Sequence, residues 1–262
     1  MITPSTLQRR EYKYLVSEDT AERIRRHIAG FCVVDPHAAD TGGRYVIDTL
    51  YLDTPRLDTY FATIDDASDR YKLRIRTYPS AGSGGPVFLE VKRRVSDSII
   101  KTRGWFPGDW PRLLDGDASA LAQIAPKNRR AIDNFLCHHR YLPFAPAALV
   151  RYEREPYFSL VDDYARVTFD RSLAFQPASQ LNLIPSDERW TYVDDAGSQR
   201  SGYDARSAVL LELKFTNVVP HWMRRMVHTL DLQRLAFCKY TRAIDAMRMV
   251  PNLRVPRAGL RR

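Results

Sequence analysis

Cations recur at every second position in one strand-like segment after another. Residues two apart on a strand share a face. In the segment from Gln8 to Val16 that face carries Arg9, Glu11 and Lys13. Between Arg70 and Tyr78 it carries Arg70, Lys72, Arg74 and Arg76, with Tyr71, Leu73 and Ile75 on the other side. Glu90, Lys92 and Arg94 stand opposite Leu89 and Val91 in Pro86–Arg94, and Lys101 and Arg103 align in Ser98–Phe106. The pattern returns as Tyr152 with Arg154 in Ala147–Phe158 and as Arg166, Thr168 and Asp170 in Tyr164–Phe175. It ends with Glu212 and Lys214, opposite Leu211 and Leu213, in Ser207–Phe215. One such strand is what any half-exposed sheet shows. Repeated like this on an open face, like charges repel with nothing gained. Closed into a barrel, the same strands enclose the charge as a lumen and turn their apolar faces outward under helices.

The formal net charge of +9 and a pI near 9.6 call for a polyanionic partner, whether nucleic acid, anionic membrane or a phosphate-rich small molecule. The placement of the cations separates these. Nucleic-acid proteins interleave exposed basic and aromatic residues or insert a helix, whereas here the cations alternate along strands. No nucleic acid is expected. A narrow, positive, low-dielectric lumen focuses its field on an anion, and a long, highly charged one balances it. Glu11, Glu90 and Glu212 are each followed two residues later by Lys. Carboxylates amid cations supply oxygen ligands that suit Mg²⁺ or Mn²⁺; the other reading is that each only balances lumen cations.

Helices are expected after Ser17, a candidate N-cap followed by Glu18 and Asp19. More are expected over Leu57–Ile64, within Asp109–Tyr141, from Pro220 as first helical residue, and over Ala236–Met249. A long polar excursion is expected from Gln176 to Arg206. The connector Pro79–Pro86 is glycine-rich but lacks the Lys-Ser/Thr of a phosphate-cradling loop. The three cysteines have no short spacing, which fits a reducing compartment without a disulfide framework or zinc site. No signal peptide or transmembrane segment is visible, so a cytoplasmic protein is expected. With 262 residues and 44% hydrophobic content, one domain over residues 1–250 is expected. Residues 251–262, with Arg254, Arg257, Arg261 and Arg262, are expected to form a basic, disordered tail. The six histidines form no nucleophile–base set.

These residues resemble the VTC-type polyphosphate polymerase domain of the triphosphate tunnel metalloenzyme superfamily, related to CYTH domains. The matching segments are Arg9-Arg-Glu-Tyr-Lys-Tyr14, Lys72-Leu-Arg-Ile-Arg-Thr-Tyr78, Phe88-Leu-Glu-Val-Lys-Arg-Arg94 and Lys101-Thr-Arg103. Further on are Val150-Arg-Tyr-Glu-Arg154, Arg166-Val-Thr-Phe-Asp170, Leu211-Glu-Leu-Lys214 and Phe237-Cys-Lys-Tyr240. The resemblance runs from about residue 8 to 248. It implies an α+β fold with a closed antiparallel eight-stranded β-barrel, the triphosphate tunnel, flanked by helices. It implies a divalent metal, Mn²⁺ or Mg²⁺, and transfer of the ATP γ-phosphate to a growing polyphosphate chain. By position, Arg74, Arg76, Lys92, Arg154 and Lys214 are the implied catalytic residues. Lys13, Lys72, Lys101, Arg103, Tyr152 and Lys239 are the implied substrate-binding residues, and Glu212, Glu90 and Glu11 the implied metal ligands. The helix after Pro220 is implied to plug or border the tunnel mouth. A membrane-protein partner is a further expectation, with membrane association only through it.

Two departures stand out. Hydrolase and cyclase branches of the superfamily carry Glu-x-Glu-x-Lys on the first strand; here Arg9 replaces the first Glu, as in the polymerase branch. Cys238 stands where the family often has Ser, with little effect expected. The alternatives are a triphosphatase using the same tunnel and a non-catalytic polyphosphate-binding module.

Overall fold

A computed structural model describes residues 9–79, 85–96, 98–162, 164–183, 190–192, 209–216 and 218–247. The architecture is α+β, built on one large antiparallel sheet. Its strands are β1 (Arg9–Val16), β2 (Cys32–Val34), β3 (Tyr45–Asp53), β4 (Asp69–Thr77), β5 (Val87–Val95), β6 (Ser98–Phe106), β7 (Ala145–Ser159), β8 (Arg166–Pro177), β9 (Thr191–Tyr192) and β10 (Val209–Thr216). They lie in the order β2-β7-β3-β4-β5-β6-β1-β10-β8-β9. β7 also pairs with β8, which stands far from it in that order, so the sheet curls round on itself.

The described helices are α1 (Glu18–Ile28), α2 (Pro36–Ala39), α3 (Asp58–Ile64), α4 (Trp110–Leu114), α5 (Ala118–Ala122), α6 (Pro126–Tyr141), α7 (His221–Thr229) and α8 (Lys239–Ala246). Ser17 caps α1, its Oγ accepting from the Thr20 amide at 3.2 Å. Pro220 is the N-cap of α7 rather than its first residue. The last helix begins at Lys239, later than expected, because Arg234 and Leu235 are extended along β1. The expected excursion after β8 contains the short β9, although residues 184–189 and 193–208 lie outside those described, as do the connector tip 80–84 and the tail.

Alternation sends apolar side chains to the outside, where helices cover them. Leu50, Leu52, Leu73, Ile75, Leu89 and Val91 pack under Trp110, Leu113, Ile132 and Phe135 of α4 and α6. Gly104 lets α6 approach β6 closely: a Cβ there would lie 2.5 Å from Ile132 Cγ1 and 3.2 Å from its backbone nitrogen. A second outer cluster joins Tyr14, Val167, Phe169, Leu211 and Leu213 to Ile24 and Ile28 of α1 and Trp222, Met223 and Met226 of α7. Thus α7 lies against the outer surface and does not plug the interior.

The helix on the inner side is α8. Its Tyr240 stacks on Tyr51 with centroids 5.0 Å apart and donates its hydroxyl to buried Asp53 at 2.6 Å. Asp245 on the next turn accepts from Tyr60 of α3 at 2.6 Å. The chain reaches α8 through the weakest seam of the sheet. β1 and β6 share one residue pair, Arg9 with Ile99, and the sheet is not closed there by a continuous ladder. The physical reason is that another segment occupies the β1 edge. Tyr14 bridges Arg234, and the Leu235 amide donates to the Lys13 carbonyl at 2.9 Å. The expected hydrogen-bonded closed barrel is therefore corrected to a curled antiparallel sheet with an occupied seam.

Candidate functional site

The strand register brings the alternating charges together on the inner face. Lys13 lies opposite Glu212, Glu11 opposite Lys214, Arg74 opposite Glu90, Glu90 opposite Arg103, Lys92 opposite Lys101, and Arg154 opposite Asp170. Contacts also cross between strands that are not neighbours. Lys92 of β5 reaches Glu11 of β1 at 3.4 Å, past β6. The Lys13 ammonium donates to the Phe237 carbonyl at 2.8 Å.

Two charged groups form. In the first, Glu90 is wholly buried and held by Arg74 at 2.7 Å, Lys101 at 2.7 Å and Arg103 at 3.3 Å. Arg76 beside them donates Nε to Thr49 at 3.2 Å and makes no ion pair among the described residues. In the second, Glu212 contacts Lys214 at 2.8 Å, Lys239 at 3.0 Å, Arg154 at 3.1 Å and Lys13 at 3.7 Å. Glu11 pairs with the same Lys13 at 3.0 Å. Asp170 receives both arms of Arg154 at 2.7 Å and Lys239 at 2.6 Å. Alternation alone gives Asp170 a place on this face without a role; the structure makes it the partner that fixes Arg154 and Lys239. Tyr152 backs both, with Lys239 Nζ 4.6 Å and Arg154 Cζ 5.3 Å from its ring centroid. Lys72 donates to Thr63 at 2.5 Å and makes no ion pair among the described residues. The residues named from the sequence thus fall into these two charged groups, with Arg76, Lys72 and Tyr152 beside them.

The electrostatics follow from burial and crowding. Burial opposes ionisation of Glu11, but Lys13 and Lys92 hold it well below the usual carboxylate range. Burial is likewise overcome at Glu90 by Arg74, Arg76 and Lys101, and at Glu212 by Lys214, Lys239, Lys13 and Arg154. Some lysines are pushed the other way. Glu11 pulls Lys92 up, yet burial with Lys13 and Arg74 brings it down to about 8. Burial, with Arg74 and Arg76, lowers Lys101 in spite of Glu90. Cations therefore exceed what the local carboxylates neutralise, and the interior is suited to a polyanion that supplies the missing negative charge.

Among the described residues no three His, Cys, Asp or Glu side chains converge as a metal site. Glu90 is fully enclosed by its three cations. Glu11 and Glu212 share Lys13, so an ammonium sits between two carboxylates. Both carboxylates are thus engaged by lysines, and any metal there would have to take over oxygens that Lys13 now holds.

Fold and site together define a curled antiparallel sheet whose inner face is lined by buried cations and the carboxylates that partly pair with them. A family model, the VTC domain, matches residues 8–248, and the chain belongs to that family. Its role is accordingly polyphosphate- or triphosphate-related. No curated protein matches. Similar solved structures include a candidate adenylate cyclase from Bacillus halodurans, 11% identical, with 88% of this chain and 96% of that one covered and a TM-score of 0.47. A candidate adenylyl cyclase from Hippeastrum, described as having a dominant triphosphatase activity, is 12% identical, with 87% and 90% covered and a TM-score of 0.45.

Proposed function

We propose that the chain is an ATP-dependent polyphosphate polymerase whose curled sheet works as a phosphate tunnel. The observation that carries this reading is the run of cations from Lys72 and Lys92 through Arg74, Arg76 and Lys101 to Arg154, Lys214 and Lys239 on one inner face, with Arg76 and Lys72 unpaired by any carboxylate among the described residues. A continuous row of this kind matches a chain of phosphates better than one isolated phosphate.

The chemistry needs positioning and charge compensation more than proton transfer. An ionised terminal oxygen of the polyphosphate chain attacks the γ-phosphorus of ATP. The bond from that phosphorus to the β-bridging oxygen breaks, ADP leaves, and the chain is one phosphate longer. No general base is required, which agrees with the lack of a nucleophile–base pair in the sequence. Arg74, Arg76, Lys92, Arg154 and Lys214 compensate the charge that shifts during transfer. Lys13, Lys72, Lys101, Arg103, Tyr152 and Lys239 hold the flanking phosphates. Glu212 with Glu11 would hold Mg²⁺ or Mn²⁺, and such an ion supplies further charge neutralisation at phosphate oxygens.

Incubation of the purified protein with ATP and Mn²⁺ or Mg²⁺, with ADP, free phosphate and polyphosphate read together, tests the proposal. Polymer rising in step with ADP supports it. Free phosphate without polymer identifies a triphosphatase instead.

A further inference from the structure

At one end of the charged face the cations meet aromatic rings. Tyr45 lies opposite Arg154 in the β3–β7 ladder, and Phe88 lies opposite Arg76 in the β4–β5 ladder. Tyr78, just past β4, meets both rings edge-on, at 5.6 Å from Tyr45 and 5.7 Å from Phe88. All three rings are half-buried. Arg103 lies over two of them, its Cζ 3.5 Å from the Phe88 centroid and 5.5 Å from that of Tyr78. One edge of its guanidinium is fixed by Glu90, at 3.3 Å from Nε. Another is fixed by the Tyr78 hydroxyl, which accepts from Nη2 at 3.0 Å. Phe88 backs the guanidinium closely, Tyr78 meets it through its hydroxyl and, at 5.5 Å, its ring, and the side chain keeps 34% of its surface exposed.

A guanidinium plane held at its edges and backed by a ring is a stacking platform for a nucleobase. It is continuous with the phosphate cations, because Glu90 binds Arg103 together with Arg74 and Lys101.

We infer that the Arg103–Phe88–Tyr78 platform binds the base of a nucleoside triphosphate, so that the nucleotide enters with its base at this end and its phosphates pointing along the charged face. The inference rests on the reading of that face as a phosphate-binding site. Stacking tolerates every base, since each has a π-face, so ATP and GTP bind alike.

Calorimetric titration of ATP and of inorganic tripolyphosphate, in parallel, into the wild type and two variants tests it. Tyr78→Leu removes the hydroxyl that fixes the guanidinium edge; Phe88→Leu keeps apolar bulk and removes the backing ring. Both are expected to weaken ATP about tenfold while leaving tripolyphosphate within about twofold, the range that loss of one stacked base produces. Retained tripolyphosphate affinity also reports a retained fold. Equal losses for both ligands, or no loss for either, would overturn the assignment. So would a selective ATP loss of the same size in Phe158→Leu, whose ring backs Arg166 and not Arg103. Failure of the wild type to bind tripolyphosphate would instead remove the phosphate-site reading on which the platform depends.

Discussion

Cys238 is where the residue-level reading changes most. Where the family often has Ser, little effect is expected of it, yet it stands as the N-cap of α8 within the field of the interior lysines. Burial raises the thiol, but Lys72, the Thr241 amide, Lys13 and Lys92 together bring it down to about 7. Alkylation of Cys238 by iodoacetamide, followed by peptide mass spectrometry, should rise with pH through a midpoint near 7. Bound tripolyphosphate should slow it by neutralising the same lysines. A midpoint at or above the ordinary thiol value of 9.0 would show that the thiol does not feel those lysines. Asp170 makes a second residue-scale case. It is completely buried and shares Arg154 and Lys239 with Glu212. Asp170→Ala leaves buried cations short of a partner, and urea denaturation should show a loss of about 3–5 kcal/mol.

At the scale of elements, strands were far more legible than the interior helix. Alternation of charged and apolar residues located the long strands to within a residue or two, and Ser17 marked the start of α1. Cys32–Val34 is too short for a period-two pattern to register, so β2 escaped notice. The segment before Lys239 reads as helix because it is apolar, but tertiary pairing with Tyr14 and Lys13 draws it out as an extended strip. Which helix faces inward was not legible either: α7 and α8 both carry an apolar stripe, and only the threading through the β1–β6 seam separates them. Two substitutions probe these elements. Gly104→Val forces α6 off β6 and should cost about 1–3 kcal/mol in chemical denaturation, as overpacking does. Ser17→Ala removes the α1 cap and should cost about 1 kcal/mol. An unchanged midpoint for Gly104→Val would mean that the α6–β6 approach is looser than described.

For the whole molecule, like-charged faces are made tolerable by interleaved carboxylates: Glu11, Glu90, Glu212 and Asp170 neutralise part of the interior. Under the proposed function a polyanion takes up the remaining cations. The charged inner face was legible as a set because its spacing repeats across strands that are distant in sequence. Its internal pairing was not, since Glu90 with Arg74, and Glu212 with Lys239, depend on register and on α8. The central claim is that this interior is a built polyphosphate site. Thermal unfolding with and without tripolyphosphate, in the wild type and in Arg76→Ala, tests it most directly. The account predicts a ligand-dependent rise in Tm in the wild type that Arg76→Ala largely abolishes while its own ligand-free Tm stays close to wild type. No rise in the wild type, or an equal rise in both proteins, would contradict it.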